Sequence, residues 1–503
     1  MSVVAVIDIG MTNKKVALYD RRLSMLECAS RSFPALVEEG LAVHDLSGIE
    51  RWFLDTLSDM GTRHPIRAIA VATHGATVVC VGDDGGPCAP CVLYTHEPGP
   101  AFHDRFYTLA GNPNVLQEAT GTPALSALIN SAKGIFFLQE RFPGRFARTR
   151  LVLGYPQYWG FRLTGIAGAE GTYTGCHSYL WDWKKELPSS VAEALGIEAM
   201  LPMPLKESWA VLGTLRPEIA ARTGLSPDTA VTMGIHDSNA SLLPHMAFRA
   251  GSDFILNSTG TWCVLMHPQK RYGFARSELG KMVFFNRSAL NTPVKTAIFL
   301  GGRELDTWSG LFESARGTHP AADPVDDDYR AVIGEKSVFI LPEIVPGSGQ
   351  FPGSTPRAVE DGKEYPLSGM QDCAPAFFRQ PTRARAALDL SLVIQTTVAL
   401  ERIGLGQGTE VFTEGGFRNN ASYNALLAAA LPANKVFLTD IAEATSFGAA
   451  MTAVAALEQV PLESLRERFR VEYVPVAPLA GLEGFPAYRR AWLKAVGKEA
   501  QEE

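Results

Sequence analysis

Val3-Val4-Ala5-Val6-Ile7 is an unbroken apolar run. The polar, Gly-containing stretch Asp8-Ile9-Gly10-Met11-Thr12-Asn13-Lys14-Lys15 follows it, and then apolar Val16-Ala17-Leu18-Tyr19. Two strand-sized runs joined in this way predict a β-hairpin, with Asp20-Arg21-Arg22 as the next turn. The pattern returns about 250 residues later, where Phe254-Ile255-Leu256 leads through Asn257-Ser258-Thr259-Gly260-Thr261 into Trp262-Cys263-Val264-Leu265-Met266. Two hairpins with Gly/Thr-rich tips at that separation predict a duplicated domain, since the period is too long for a solenoid. Between them, Ile66 to Ala72 and Thr77 to Val81 read as strands and Asp83-Asp84-Gly85-Gly86 as a turn. Helical spacing predicts helices over 125–141 and over Val191 to Leu195, the latter stopping at Gly196. Residues 310–372 are richer in Gly, Pro and Asp and predict loops or an insertion. Beyond them Ala384 to Ile403 is a long periodic helix. Strands at Glu410 to Thr413 and Val436 to Leu438 then alternate with helices at Ala421 to Leu431 and Glu443 to Leu457. Such alternation predicts an α/β layer architecture. A boundary is expected near residue 245.

Length adds a bound: 503 residues suggest about three ordinary domains or two large ones. The 46 basic and 53 acidic side chains leave a net charge of −7, which argues against a general nucleic-acid or anionic-membrane binder. No apolar run approaches the 18 to 20 or so residues needed to span a bilayer, and no basic region precedes the first apolar stretch. Seven scattered cysteines suit a reducing compartment, so a cytoplasmic location is expected.

Candidate chemistry sits at the ends of the predicted strands. Asp8 can hold a hydrated Mg²⁺, and Gly10 lets backbone N–H groups approach phosphate oxygens. Thr12, Asn13 and Lys14 add donors; the same residues also suit a plain hairpin turn. Ser258-Thr259-Gly260-Thr261 has similar donors without the acid. In Gly234-Ile235-His236-Asp237-Ser238-Asn239, Asp237 stands where a strand ends and a helix begins. A carboxylate there can take the proton of an attacking hydroxyl, or simply cap the helix. Glu414-Gly415-Gly416-Phe417-Arg418-Asn419-Asn420 joins a strand to a helix that Asn419 or Asn420 could cap, with glycines that admit a ligand. Other chemistries lack their motifs. There is no P-loop, HExxH or GxSxG, and Gly404-x-Gly406-x-Gly408 precedes a strand where a dinucleotide turn would follow one. Cys88-Ala89-Pro90-Cys91 is a lone CxxC pair.

In this order the segments resemble the FGGY family of carbohydrate kinases essentially end to end. Asp8 to Asn13 resembles its first phosphate motif. Leu163-Thr164-Gly165 with Glu170 and Leu180 to Asp182 resembles its mid-domain pattern, and Gly234 to Asp237 its catalytic segment. Ser258 to Thr261 is similar to its second phosphate motif, Gly415-Gly416 with Asn419 to its adenosine motif, and Ala444 to Ala450 to the helix that follows. The resemblance implies two ribonuclease-H-like domains of the actin-like ATPase fold flanking a cleft, with 1–245 mainly sugar-binding and 246–503 mainly ATP-binding. It implies Asp237 as general base, with Mg²⁺ held by Asp8 through water and lying beside Asp237. Gly10, Thr12, Asn13 and Lys14 would face the phosphates of ATP from one side and Thr259, Gly260 and Thr261 from the other, while Gly415, Gly416 and Asn419 lie along the nucleoside. Thr73, His74, Gly75, His236, Asp237 and Ser238 would meet the sugar. Domain closure would exclude water and limit wasteful ATP hydrolysis.

The sugar motif departs from well-known relatives. Thr73-His74-Gly75-Ala76 stands where Gln-His-Gly is frequent, and Tyr94-Thr95-His96-Glu97-Pro98 lacks the acid and Arg of a Trp-x-Asp-x-Arg stretch. The His-Asp pair at 236–237 is similar to rhamnulose and fuculose kinases, whose 6-deoxy-ketohexose needs an apolar wall such as Ala76 or Trp262. The expected partner is a small ketose or polyol. A homodimer is the one assembly considered, although no stretch reads as an interface. Two other readings compete: a sugar-responsive regulator with little turnover, disfavoured by the intact Asp8 and Asp237, and an actin-like ATPase acting on a protein partner.

Overall fold

The computed structural model describes residues 2–497, apart from 318–321, 440 and 442. The first hairpin forms as expected: strands Val3–Ile9 and Asn13–Tyr19 pair antiparallel, and every residue of the first strand is buried. A strand buried on both faces reads as a continuous apolar run, which is why it carries no polar alternation. It lies parallel to Ile66–Thr73, which in turn lies parallel to Ala230–Thr232 and to Ile235–His236. Met25–Ser32 and Val211–Thr214 close the two edges of this sheet.

The second sheet repeats the scheme. Phe254–Thr259 and Cys263–Pro268 form the central hairpin, Pro293–Phe299 and Val283–Arg287 continue it antiparallel, and Glu410–Gly415 and Lys435–Thr439 extend it in parallel on the other side. An antiparallel meander joined to parallel strands in both halves is the duplication that the two tips predicted.

Two helices lie between the sheets. Asp237–Phe248 follows the last strand of the first half, and Ala444–Glu458, from late in the chain, packs back onto the first sheet. Their shared core is made of small residues: Ala240 and Ala247 on one, Ala449, Ala450 and Ala453 on the other, over Val4, Val6, Ala68 and Ala70 of the strands. At the crossing a Cβ on Gly448 would lie 1.8 Å from the carbonyl oxygen of Ala240, so only glycine permits this approach.

One predicted element differs. The helix expected over 125–141 starts only at Ser131. Ahead of it the Glu97 carboxylate accepts the Ala127 N–H (2.7 Å), Leu128 N–H donates to the Tyr94 carbonyl (3.0 Å), and the Asn130 amide bridges Leu125 N–H and the Pro123 carbonyl. These contacts outweigh the helical spacing of the apolar residues. Of the two alternatives expected for 310–372, the described residues take the insertion. The helix Gly301–Arg316 enters it, and the helix Asp326–Glu335 and the antiparallel strands Val338–Leu341, Arg357–Glu360 and Lys363–Pro366 form an insertion. Its Asp361-Gly362 turn has φ of +51° and +78°, the left-handed pair that a tight hairpin requires and that composition alone reads as loop. Among the described residues no helix is long and apolar enough to cross a membrane.

Candidate active site

The carboxyl ends of the parallel strands converge. Asp8 and Gly10 end the first strand, His74 follows the second, and Asp237 follows Ile235–His236. In the second sheet Thr259 and Gly415 end neighbouring parallel strands in register. Ligand sites of α/β sheets form at this edge.

Asp237 is the first residue of its helix. The position before it is taken by His236, whose side chain makes no cap hydrogen bond, so Asp237 is not a simple helix cap. Its Oδ1 accepts the Ser238 N–H (2.6 Å) and hydroxyl (3.2 Å), and His236 Nε2 lies 3.4 Å away. Burial pushes its pKa up to about 6, against the smaller opposing effect of the Ser238 bonds. Asp8 is likewise pushed up to about 6 by burial, partly offset by Lys15 and by the Ser446 hydroxyl, which donates to Oδ2 (3.0 Å) from the Ala444 helix. Asp237 adds a repulsive contribution to Asp8. Two buried carboxylates, one of which raises the proton affinity of the other, are the donor set a hard divalent ion such as Mg²⁺ fits.

A cavity of about 190 Å³ opens beside Asp237. The first half supplies its polar rim of His74, His177, His236 and Ser238, together with Gly75, Ala76, Tyr94, Ile129 and Cys176; the second half supplies Trp262, Val264, Phe284, Asn286 and Ile298. A larger groove of about 860 Å³, between Ala428 and Pro486, is remote from these carboxylates, so size alone does not mark the site. Burial holds the three imidazoles neutral, with pKa values lowered to about 3, 3 and 4 for His74, His177 and His236. His74 Nδ1 pairs with the Gly75 carbonyl (3.0 Å), which places the proton there. That leaves buried Nε2 as an acceptor without a partner among the described residues.

The Asp237 segment is held from behind. The Thr172 hydroxyl donates to Glu170 (2.6 Å) and accepts the His236 N–H (3.0 Å), and the Asn239 amide donates to the Thr172 carbonyl (3.3 Å). Glu170, fully buried and itself pushed up to about 7 by desolvation, also accepts the Thr172 and Tyr173 N–H groups.

Several expected ligand residues are placed otherwise. Lys14 is 1% exposed and its ammonium donates to the Met11 carbonyl (2.7 Å), so it braces the first tip from beneath and offers nothing to the cleft. Thr73 is buried outside the cavity and spends its hydroxyl on the His74 carbonyl (2.9 Å). The Thr259 hydroxyl donates to the Glu414 carbonyl and accepts the Phe417 N–H (2.9 Å), stitching the second tip to the Gly415 turn. Gly10, Thr12 and Asn13 remain at the first tip, where Asn13 Oδ1 accepts the Ser32 hydroxyl (2.7 Å). Gly260 and Thr261 remain at the second. Gly415, with φ +76°, lies where a Cβ would fall 1.9 Å from the Thr259 carbonyl. Gly416 and Asn419 are exposed beyond it, and Asn420 is the residue that caps the next helix. The Gly10 and Gly260 N–H groups close their own turns onto the Asn13 (3.1 Å) and Trp262 (2.8 Å) carbonyls, so what the tips and the Gly415 turn offer a nucleotide is the exposed surface of Thr12, Asn13, Thr261, Gly415 and Gly416. Tyr94, from the segment standing at the sugar-site Trp-x-Asp-x-Arg stretch, also lines the cavity, whereas Cys176, His177, Phe284 and Asn286 carried no sequence signal for it. His177 and Cys176 follow a single-turn helix, Gly171–Thr174, and carry no periodic signal.

Fold and cleft define the class: a two-domain α/β phosphotransferase of the actin-like ATPase fold. Residues 3–244 match the N-terminal domain of the FGGY family of carbohydrate kinases, and residues 251–461 match the carbohydrate kinase FGGY C-terminal domain. The chain belongs to the FGGY family of carbohydrate kinases, enzymes that phosphorylate a sugar hydroxyl with ATP as donor. It is 26% identical over 469 residues to the L-fuculokinase of Salmonella typhi, covering 89% of this chain and 91% of that protein. A shorter match, 30% over 129 residues and 26% of this chain, is to the rhamnulokinase of Enterococcus faecalis and covers 25% of it. A carbohydrate kinase from Novosphingobium aromaticivorans superposes with a TM-score of 0.77 at 29% identity, over 98% of both chains. A ligand-bound xylulose kinase from Lactobacillus acidophilus gives 0.78 at 16% identity over 99% of both, a likeness of fold.

Proposed function

We propose that this enzyme phosphorylates a small ketose, a 6-deoxy-ketohexose of the fuculose or rhamnulose kind, in the cytoplasm, with Asp237 as general base. The observation that carries the reading is Asp237 on the wall of a half-open cavity, polar on the histidine side and apolar on the other. His74 Nε2 can accept and His236 Nε2–H can donate to sugar hydroxyls. Ala76, Trp262, Phe284 and Ile298 give the methyl end of a deoxy sugar a dry wall. Asp237 then takes the proton of the hydroxyl that attacks phosphorus, so the nucleophile need not carry it into the transition state. Mg²⁺, when bound at Asp8 and beside Asp237, supplies neutralisation of the phosphoryl charge. Gly10, Thr12 and Asn13 on one side and Gly260 and Thr261 on the other orient the phosphates, while Gly415, Gly416 and Asn419 leave room for the nucleoside.

The test is ADP release with Mg-ATP against the ketoses L-fuculose, L-rhamnulose, xylulose and ribulose and the polyol erythritol, with a no-sugar control. Turnover with one 6-deoxy-ketohexose above the others supports the reading. Preference for xylulose or erythritol overturns the deoxy-sugar assignment, and equal release without sugar overturns the kinase reading as a whole.

The carboxylate sets a pH dependence. A base must be ionised to accept a proton, and Asp237 ionises at about pH 6. The rate at low sugar is therefore expected to be level above about pH 7 and to fall about tenfold per unit below 6. The histidines, lowered to about 4 or less, stay neutral throughout and add no second limb. A profile flat from pH 5 to 8 would contradict this base.

Gly75 offers a test of the cavity. A Cβ there would lie 2.6 Å from His177 Nε2 and 2.7 Å from His236 Nε2, so it fills the space between the two rings. Gly75→Ala is expected to raise the sugar KM at least about tenfold, the scale of a lost methylene-sized fit in a pocket, with the KM for ATP unchanged. Equal effects on both substrates would show that the substitution acts on the fold.

A further inference from the structure

The cavity also gathers a donor set that phosphoryl transfer does not call for. Cys176 Sγ and ring nitrogens of His177 and His236 all lie within 4.8 Å of one another. We propose that Cys176, His177 and His236 form a binding site for a borderline-soft divalent cation, Zn²⁺ foremost, and that its occupation blocks the sugar pocket.

The ligand chemistry favours this. Thiolate and imidazole select zinc-like ions, whereas Mg²⁺ prefers the all-oxygen setting of Asp8. His177 Nδ1 pairs with the Ile129 carbonyl (3.1 Å), so its proton sits there and the Nε2 lone pair faces the cavity. A carbonyl partner on the far nitrogen is how metal-binding imidazoles are oriented. His236 Nε2 stands 3.4 Å from Asp237 Oδ1, close to the separation of two ligands on a tetrahedral zinc with bonds of about 2.0–2.1 Å. Asp237 is near His236 but is not one of the three mutually close donors, so the fourth position falls to water or to a turned Asp237 carboxylate.

Two adjustments accompany binding. The thiol of Cys176 releases its proton to solvent. His236 moves its proton from Nε2 to Nδ1, and the Asn239 amide turns to accept it. The Asn239 amide nitrogen now lies 3.4 Å from His236 Nδ1, and its buried Oδ1 has no partner among the described residues. The ligand atoms also close in by about 1 Å to reach zinc bonding distances. In a cavity of about 190 Å³ a metal held by these three lining residues occupies the space of the sugar.

The inference rests on the sugar-pocket reading only for its inhibitory consequence; the binding itself is tested without turnover. Co²⁺ alone is titrated into the protein as a spectroscopic stand-in for zinc. One equivalent is expected to give a thiolate-to-cobalt charge-transfer band, displaced by Zn²⁺. The band should vanish in Cys176→Ser and weaken at least tenfold in apparent affinity in His177→Gln, with the circular dichroism of both variants checked for an intact fold. A band that survives in Cys176→Ser, or no band in the parent, overturns the site. With the best sugar of the panel, buffered free Zn²⁺ should inhibit competitively with sugar and not with ATP. Cys176→Ser should be at least tenfold less sensitive, relative to its own metal-free rate. Stoichiometric cobalt binding with no inhibition overturns the blocking role and leaves the kinase reading untouched.

Discussion

Asp237→Asn should lower kcat by about 10³-fold while leaving sugar and nucleotide affinity within about threefold of the parent. Positioned general bases contribute about 10²–10⁴ in rate, which is the size of the loss expected when an amide replaces the carboxylate. The fold should tolerate the change, because the side-chain oxygen can still accept the Ser238 N–H and hydroxyl that now bind Oδ1. Binding is measured by calorimetry with the sugar that turns over and a non-hydrolysable ATP analogue, and the rate by coupled ADP release. A variant with more than a tenth of the parental kcat would refute the base. A variant that has lost both affinities would show that Asp237 acts on binding.

Gly448→Ala should cost about 3 kcal/mol, at the upper end of the usual penalty for overpacking. The reason is the partner: the new methyl would meet a backbone carbonyl, that of Ala240 at 1.8 Å, and not a side chain that can swing away. The two central helices must separate, and with them Ser446 from Asp8 and the Asp237 helix from the first sheet. A melting temperature lowered by roughly 6–12 °C is expected, at about 2–4 °C per kcal/mol for domains of this size. Gly334→Ala is the control, since Gly334 lies in a helix with open space around its would-be Cβ; it should be neutral or slightly stabilising. Melting of Gly448→Ala within 1 °C or so of the parent would mean that the helices do not cross this closely.

The parts of this architecture that were legible in the sequence are those governed by local pattern. Val3–Ile9 and Phe254–Thr259 are continuous apolar runs ended by Gly-containing tips, and the Asp237 segment announces itself by strand, acid and helix in succession. What was not legible depends on which way a residue faces. Asn13 and Lys14 are equally good donors on paper, but neighbours on a strand point to opposite sides, so Asn13 is exposed and Lys14 buried. Thr259 fails as a phosphate donor for a related reason, because its hydroxyl is consumed by the adjacent strand end. The cavity was the least visible part. His177, Tyr94 and Phe284 come together from three distant segments, and only the tertiary structure brings them into one wall. Loops and an insertion stayed open as alternatives for 310–372 because residues that make tight hairpin turns have the same composition as loops.

The mixed origin of the cavity walls bears on how specificity can change in this lineage. Its hydrogen-bonding groups come mostly from the first sheet's side and much of its apolar surface from strands of the second. Neither half alone therefore encodes which sugar fits. A chimera that joins the first half of one relative to the second half of another would inherit a polar rim matched to one substrate and a floor shaped for a different one. On the proposed reading, substitutions at Trp262, Phe284 or Ile298 reshape the same cavity as those at His74 and His177, although a sequence boundary separates them.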